Sequence, residues 1–480
     1  MNPAAPLPRP TLHARLLAEQ ALSRAAGAPL VAGNTVELLI DGAAHFAAWQ
    51  AAIESARSHV FIENYIIADD PVGRGLRDAL IAAAQRGARV CVIHDWLGNL
   101  GNARAAFWLP LRAAGGEVRV YNRLRADSPF GWISRDHRKL VLVDGVWGSL
   151  SGVCAAAKWL GDPARGVPPW RDTGLVIRGP ALGDLELAFR DSWAGLGTPL
   201  DLSAAPVPEP VGTVALRVIA THPQTAGLYR LDQLVAAMAQ RTLWLTDAYF
   251  VGIPTYVQGL VSAARDGVDV RLLVPGSSNL HAVAALSRAG YRPLLEAGIR
   301  VFEWNGSMLH AKTAVADGRW ARVGSSNLNL SSWLANCELD AAIEDIGIAE
   351  QMQEHYLRDL DNATELLLAG RRPRPQGERR RSARGGSSSR AAATALRLAN
   401  TVGAAIANRR VLADSERGVL SLAGIALLLL AALGAWWPRV LAWPLALFAA
   451  WLGASLLWKR ILRQREARQR AAAATRVPGK

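Results

Sequence analysis

The chain contains 480 residues, 51% of them hydrophobic, so it is long enough for two or three domains with a sizeable buried core. Its formal net charge of +14 comes from one end: residues 371–480 hold 21 Lys and Arg against 4 Asp and Glu, which leaves 33 basic and 36 acidic residues in 1–370. A nearly neutral body argues against a protein that binds a nucleic-acid duplex, and a basic tail indicates an anionic membrane surface as a partner.

The sequence gives little evidence for secretion, for disulfide bonds or for a zinc site built from cysteines. Residues 1–30 contain prolines, arginines and short apolar pieces, without the continuous apolar run of a signal peptide. Cys91, Cys154 and Cys337 are odd in number and widely spaced, which fits neither a disulfide framework nor a zinc site. We therefore expect reduced thiols in a cytosolic compartment.

The body of the chain repeats one pattern twice. Strand-like VFIENYII (59–66) and LWLTDAYF (243–250) are each followed by a helical run and then by a second strand-like segment, at 86–95 and 266–275. Because strands alternate with helices, we expect an α/β sandwich in each repeat.

This repetition predicts an α/β fold of two duplicated sandwich halves with pseudo-twofold symmetry, followed by a C-terminal transmembrane helical hairpin. The predicted domains are an N-terminal extension (1–32), a first half (33–200), a second half (213–365), a basic disordered linker (366–395) and a membrane hairpin with basic flanks (396–480).

Each half carries the motif HxKxxxxD, as HRKLVLVD at 137–144 and HAKTAVAD at 310–317. The chain has only five lysines and nine histidines, so chance does not account for two such motifs at equivalent places in a duplication. The six candidate catalytic residues are His137, Lys139, Asp144, His310, Lys312 and Asp317.

The spacing of His and Lys indicates phosphodiester chemistry. Residues i and i+2 of a strand share a face, so each motif presents one imidazole and one ammonium together, and the two faces can meet at one cleft. One imidazole attacks phosphorus to form a phosphohistidine while the other transfers the proton of the alcohol, and the lysines neutralise the non-bridging oxygens. This chemistry requires no metal and no cofactor.

Further candidates bind phosphate or orient the imidazoles. Gly324, Ser325 and Asn327 belong to a GSSN segment behind the second motif, where small residues can offer backbone N–H groups to a phosphate. Asp172 and Glu338 each begin a strand-like segment downstream of a histidine, and a carboxylate on the far nitrogen fixes the tautomer of an imidazole.

Two apolar stretches of 19 residues, 419–437 and 440–458, follow the basic segment 371–390. At about 1.5 Å per residue each spans about 28 Å, close to the hydrocarbon thickness of a bilayer. Basic residues on both outer flanks place the flanks and the body in the cytoplasm, whether the hairpin spans the membrane or re-enters it. A buried soluble hairpin is the alternative.

The motif pair with its trailing GSSN resembles the phospholipase D superfamily over about residues 33–365. IENYI, HRKLVLVDG, WRDT, DAYFVG and NCE together are similar to the bacterial cardiolipin synthase branch, and most to its B type, which lacks N-terminal membrane helices. The resemblance implies transfer of phosphatidyl from one phosphatidylglycerol to another, with glycerol released, at the bacterial inner membrane. It also implies that His137 is the nucleophile and His310 the general acid and base, an order that the residues alone leave open.

The sequence departs from that family at two places. The first half has Ser151-Gly152-Val153-Cys154 where the family has GSxN, so Cys154 replaces an asparagine that contacts phosphate. The C-terminal hairpin is also outside the pattern of the B type, and it is expected to restore the membrane attachment that other cardiolipin synthases obtain at the N-terminus.

Other functions remain open on the sequence. Transfer of the phosphatidyl group to water or serine, as in a phospholipase D or a phosphatidylserine synthase, would use the same residues. A nuclease is disfavoured by the neutral body, and a catalytically silent membrane scaffold by the retention of both histidines and both lysines. We expect anionic phospholipids and the membrane as partners, no nucleic acid, and an undetermined oligomeric state.

Overall fold

The computed structural model describes residues 12–123, 134–201, 208–223, 225–368 and 409–411, together with ten isolated helical positions between 428 and 454. The fold and the site below lie in a first compact unit, residues 1–121 with 135–413; a second comprises 122–134 with 414–480.

The first half of the body begins after an N-terminal helix. Its elements are α1 (Leu12–Ala26), β1 (Val31–Ile40), α2 (Asp41–Ser55), β2 (His59–Asn64), α3 (Pro71–Gln85), β3 (Arg89–Asp95), α4 (Leu109–Ala113), β4 (Glu117–Tyr121), β5 (Lys139–Val143), β6 (Trp147–Ser151), β7 (Thr173–Arg178) and α5 (Leu182–Gly195).

The second half repeats this order and adds one helix and two edge strands. Its elements are β8 (Val214–Thr221), α6 (Gly227–Met238), β9 (Thr242–Thr246), α7 (Pro254–Arg265), β10 (Asp269–Pro275), α8 (His281–Ala289), α9 (Tyr291–Ala297), β11 (Arg300–Trp304), β12 (Thr313–Ala316), β13 (Trp320–Gly324), β14 (Glu338–Glu344), α10 (Ile346–Asp361), β15 (Ala363–Leu367) and β16 (Arg409–Val411).

The strands form one sheet whose order carries the duplication. It runs β16-β15-β11-β10-β9-β12-β13-β14-β8-β1-β7-β6-β5-β2-β3-β4, so each half contributes the same series read outward from an antiparallel β1–β8 junction. Three neighbouring strands pair in parallel in each half, β2, β3 and β4 in the first and β9, β10 and β11 in the second. The other pairs among the described strands are antiparallel, except for the parallel edge pair β15–β16. The predicted pair of α/β halves is thereby confirmed, whereas the predicted boundary residues stay predictions.

A core shared by the two halves lies against the middle of this sheet. Leu185 and Phe189 of α5 belong to the same buried apolar cluster as Ile348 and Met352 of α10. Burial of apolar surface is the main stabilising contribution to folding, so this cluster makes the two halves fold as one body.

The predicted N-terminal extension contains a structural element that the sequence analysis did not foresee. Leu22 and Ala26 of α1 pack in the core of the second half, beside Leu228 and Leu231 of α6. The extension therefore stabilises the half that is farther along the chain.

Most of the predicted hairpin at 419–437 and 440–458, and the linker 371–390, lie outside the described residues. In the part of the chain that the structure describes, no helix is both long and apolar enough to cross a membrane.

The aspartates that end the two motifs form turns. Asp144 and Asp317 both have φ of 54° and are followed by glycines at 66°, so each opens the tight Asp-Gly turn of a β-hairpin. Asp144 accepts hydrogen bonds from the backbone N–H groups of residues 57, 58 and 59, each at 2.8 Å. Asp317 accepts from those of residues 240, 241 and 242 at 2.7–3.0 Å. Each carboxylate therefore anchors the start of the neighbouring strand.

We expect Asp317→Ala to lower the free energy of unfolding by about 2 kcal/mol, because three N–H groups lose their acceptor and alanine disfavours a positive φ. Asp317→Asn should cost less, since asparagine tolerates that conformation. Denaturant unfolding of the full chain measures this effect, with the exposed Asp266→Ala as control. Unchanged stability with abolished turnover would contradict the structural role.

Candidate active site

The first motif is held in place by the second half. His137 lies just before β5, and its backbone N–H donates to the carbonyl of Cys337 at 2.9 Å. Its ring contacts the Tyr65 ring at a centroid distance of 5.0 Å. The residues that position the first imidazole therefore come from both halves.

The second motif mirrors this arrangement. The backbone N–H of His310 donates to the carbonyl of Arg171 at 2.7 Å, so a first-half residue fixes the second-half histidine. The Tyr249 ring lies 5.8 Å from the His310 ring and follows β9, as Tyr65 follows β2.

Each imidazole is hydrogen-bonded to a carboxylate of the opposite half. His137 Nδ1 lies 2.9 Å from Glu338 Oε2, and His310 Nδ1 lies 2.9 Å from Asp172 Oδ2. Both carboxylates are fully buried. With Nδ1 donating to a carboxylate, Nε2 is the nitrogen of each ring that can meet a substrate, and in His310 it lies 3.2 Å from Lys312 Nζ.

Burial and neighbouring charge favour the neutral form of both imidazoles. Burial lowers the pKa of His137, against the opposing effect of Glu338. Burial, with the charge of Lys312, lowers the pKa of His310 to about 3 although Asp172 acts to raise it. A neutral imidazole is the form that can attack phosphorus.

The partner carboxylates are ionised. Burial acts to raise the pKa of Asp172, but the hydrogen bond and charge of His310 and the charge of Lys312 lower it on balance. Burial also acts to raise the pKa of Glu338, but the charge and the hydrogen bond of His137 lower it to about 2. Each pair is therefore ready to stabilise an imidazolium when a proton arrives.

Both motif lysines are buried beside these rings. Lys139 is 1% exposed and Lys312 is fully buried. Lys312 Nζ lies 2.9 Å from His310 Nδ1, and each ammonium also donates to the backbone carbonyl of the histidine two residues before it. Burial lowers the pKa of Lys312 to about 8. The His and Lys of each motif therefore stand together, as the spacing predicted.

The GSSN segment contributes polar groups around Glu338. Ser325 Oγ donates to Glu338 at 2.6 Å, and the buried side-chain oxygen of Asn327 has no hydrogen-bond partner among the described residues. Gly324 packs so closely on Asp340 that a Cβ would lie 2.2 Å from Oδ1, which explains why glycine stands there.

The first half differs at the matching positions. Gly152 takes the place of Ser325, and a Cβ there would lie 2.4 Å from Asp172 Oδ1. Cys154, at the place of Asn327, is 1% exposed, and burial raises the pKa of its thiol. Asp172 receives its extra hydrogen bond from Trp159 Nε1 at 3.0 Å instead.

Asp144 and Asp317 do not join this group. About 16 Å of extended strand, at about 3.3 Å per residue, separates Lys139 from Asp144. Their hydrogen bonds to backbone N–H groups at the far end of each strand do not support the catalytic role predicted for them.

Sequence reasoning overlooked the aromatic walls. Tyr65 and Tyr249 stand at equivalent places in the repeated segments 59–66 and 243–250. That equivalence was the signal that could have placed them beside the two histidines. The rings of Trp159 and Trp170 lie 5.3 and 5.6 Å from the His310 ring. Neither was matched to a residue of the second half, so the duplication did not mark them as site residues.

Comparison with known proteins agrees with this geometry. The family model described as cardiolipin synthase, PLD-like domain, matches residues 50–154 and 235–360. A cardiolipin synthase A of Pseudomonas putida F1 is 32% identical over 70% of this chain and 71% of its own length. A cardiolipin synthase of Geobacillus thermodenitrificans is 32% identical over 78% and 74%.

The fold has a counterpart among solved structures. Phosphatidylserine synthase of Haemophilus influenzae Rd KW20 superposes with a TM-score of 0.57 at 14% identity, over 73% of this chain and 92% of that one. At that identity the likeness concerns the fold alone. The predicted B type is not tested by relatives named cardiolipin synthase A. The chain nevertheless belongs to the cardiolipin synthase family, an enzyme branch of the phospholipase D superfamily.

Proposed function

We propose that the protein transfers phosphatidyl from one phosphatidylglycerol to a second, forming cardiolipin and releasing glycerol. The observation that carries this proposal is the crossed arrangement of His137 with Glu338 and His310 with Asp172, with a buried lysine beside each ring. It supplies a nucleophile, a proton carrier and charge neutralisation for one phosphodiester. The similar cardiolipin synthases make this pair of substrates the first to test.

In the first step, Nε2 of His137 attacks phosphorus, the P–N bond forms and the P–O bond to glycerol breaks. His310 donates the proton that the leaving alkoxide takes up. Burial and Lys312 favour the neutral form of its imidazole, but the arriving phosphodiester anion and Asp172 both favour its protonated form. Lys139 and Lys312 offset the negative charge on the non-bridging oxygens.

In the second step, a hydroxyl of the second phosphatidylglycerol attacks the phosphohistidine. His310 takes the hydroxyl proton, the new P–O bond forms and the P–N bond breaks, which restores His137. Water or serine in place of the second lipid would give phospholipase or phosphatidylserine synthase products through the same residues. Product analysis is therefore the decisive measurement.

We also propose that 419–437 and 440–458 anchor the enzyme in the bacterial inner membrane, with the body on the cytoplasmic face. Each stretch has the length of a bilayer span, and basic residues flank the pair on both sides. The near-neutral body then meets its anionic lipid substrates at the surface to which the basic linker 371–390 is attracted.

We expect His137→Ala and His310→Ala each to lower cardiolipin formation at least about 1,000-fold, because each removes one member of a pair that acts as a unit. The assay uses purified full-length enzyme in phosphatidylglycerol vesicles, with lipids separated by thin-layer chromatography. The exposed His281 outside the site gives the matched control, His281→Ala, which should retain turnover within about twofold.

Near-normal turnover of His310→Ala would refute the paired mechanism. Phosphatidic acid or phosphatidylserine as the main product of the wild-type enzyme would instead keep the site and change the acceptor. Absence of every transfer product from the wild type would favour a silent scaffold.

We expect kcat/KM to fall as pH rises through about 8. Burial lowers the pKa of Lys312 to about 8, and the protonated ammonium, which is the form that binds phosphate oxygens, is present below that pH and lost above it. The measurement is a pH profile of kcat/KM on phosphatidylglycerol, with circular dichroism at each pH to monitor folding. A profile that stays flat to about pH 9.5 would contradict this assignment.

Deletion of residues 396–480 should move the protein from the membrane pellet to the supernatant. Because a deletion also removes basic charge, the matched full-length variant Leu428→Arg with Leu447→Arg places one charge in each apolar stretch, where a charged side chain is costly. Both proteins should lose carbonate-resistant sedimentation. Complete sedimentation of both with membranes would refute the anchor.

A further inference from the structure

The distribution of lysine in this chain points to one further residue. The chain has five lysines against 49 arginines, and only Lys139, Lys158 and Lys312 precede residue 459. Two of these belong to the motifs. The third, Lys158, follows Cys154 by four residues in the segment after β6.

Lys158 stands against the aromatic wall of the active site. Its Nζ lies 4.8 Å from the Trp159 ring centroid and 4.6 Å from that of Trp170. Both indoles in turn contact the His310 ring, at 5.3 and 5.6 Å. An indole ring therefore lies between the ammonium of Lys158 and His310, the proposed proton carrier.

No acidic side chain pairs with this ammonium among the described residues, and no hydrogen bond from it is found there. The indole faces attract a cation but carry no net charge to cancel it. Burial lowers the pKa of Lys158, and the nearest sulfur, on Cys154, belongs to a thiol whose own pKa burial raises. The charge of Asp70 acts to raise the pKa of Lys158, but no ion pair joins the two side chains among the described residues, so the protein only partly offsets this positive charge.

The charges of the two motifs and their partner carboxylates balance around one phosphodiester without Lys158. Lys139, Lys312 and one imidazolium supply three positive charges. Asp172, Glu338 and one phosphodiester supply three negative ones. A further cation beside this set creates an excess that a second phosphodiester would cancel, and transfer between two phosphatidylglycerols brings two phosphodiesters to the site at once.

The burial of the three lysines also indicates that Lys158 faces a second phosphodiester. Lys139 and Lys312 are buried, whereas Lys158 is partly exposed. The reacting hydroxyl of the acceptor lipid must reach the phosphohistidine. The phosphate of the acceptor lies on the other side of its glycerol headgroup, nearer to its acyl chains and farther from the imidazoles. A cation that lies farther out than the motif lysines suits that second phosphate.

We propose that Lys158, held between Trp159 and Trp170, binds the phosphodiester of the acceptor lipid and so selects an anionic phospholipid over water or a small neutral alcohol. This inference rests on the proposed transfer to a second phosphatidylglycerol. In the selected step the acceptor hydroxyl oxygen bonds to phosphorus, the P–N bond to His137 breaks and His310 takes the hydroxyl proton. Lys158 forms no covalent bond in it.

The test lets two acceptors compete for one intermediate. Full-length enzyme in phosphatidylglycerol vesicles receives radiolabelled glycerol, which is a neutral acceptor and yields labelled phosphatidylglycerol. Because cardiolipin and labelled phosphatidylglycerol arise from the same phosphohistidine, their ratio reports the acceptor step alone. Total glycerol release, measured in parallel, reports the donor step.

We expect Lys158→Gln to lower the ratio of cardiolipin to labelled phosphatidylglycerol at least about tenfold, as loss of one charge-assisted contact predicts. Lys158→Met, which keeps the apolar stem against the indoles, should do the same, and Lys158→Arg should lower the ratio less. Arg165→Gln removes an exposed cation from the same segment and should leave the ratio and both rates unchanged.

An unchanged ratio in Lys158→Gln and Lys158→Met overturns the proposal, whether both products persist or fall together. A joint fall would assign the ammonium to the donor phosphate. Failure of the proposed function looks different, because the wild-type enzyme would then make no cardiolipin at all. Thermal unfolding of each variant separates loss of folding from loss of selection.

Discussion

The active site depends on two imidazole–carboxylate hydrogen bonds that cross the junction between the halves. Glu338 holds His137 and Asp172 holds His310, each at 2.9 Å. A buried carboxylate is costly unless it is paired, and each half carries one whose imidazole partner comes from the other half. The antiparallel β1–β8 contact and the core shared by α5 and α10 therefore do more than stabilise the body. They set the relative position of the two imidazoles on which the proposed chemistry relies.

The two halves are equivalent in backbone but not in chemistry. Ser325 donates to Glu338, whereas Gly152 at the matching position leaves room only for the oxygen of Asp172. The indole of Trp159 takes over that donor role and at the same time walls in His310. This difference gives the imidazoles unlike surroundings, which is what a division into nucleophile and proton carrier requires. The replacement of asparagine by Cys154 belongs to the same divergence, since it removes a polar group on the side where Lys158 adds a charge.

Sequence patterns predicted the features that repeat and missed those that depend on contact between repeats. The spacing of two residues correctly placed His137 with Lys139 and His310 with Lys312, although both histidines lie just before their strands. Spacing also selected Asp172 and Glu338 as candidate orienting carboxylates. Which carboxylate serves which histidine could not be read from spacing, because a pseudo-twofold axis exchanges partners that lie far apart in sequence. The structural place of the motif aspartates has a local reason that the motif did not reveal. Asp144 precedes a glycine, and the positive φ of an Asp-Gly turn directs its carboxylate to the neighbouring strand.

The placement of charge links the body to its surroundings. Arginine supplies almost all the positive charge of the chain, yet the site uses lysine, whose compact ammonium fits between rings where a planar guanidinium needs more width. The motif lysines lie buried and Lys158 lies partly exposed, so positive charge runs from the imidazoles toward the solvent. In the proposed reaction, a phospholipid enters headgroup end first and passes Lys158 before it reaches the motif lysines. The phosphate of an acceptor lipid then lies behind its reacting hydroxyl, beside Lys158. In the proposed membrane attachment, the basic excess of residues 371–480 attracts the same anionic lipids. The proposed attraction to the surface and the proposed selection by Lys158 thus rest on the same preference for anionic lipid.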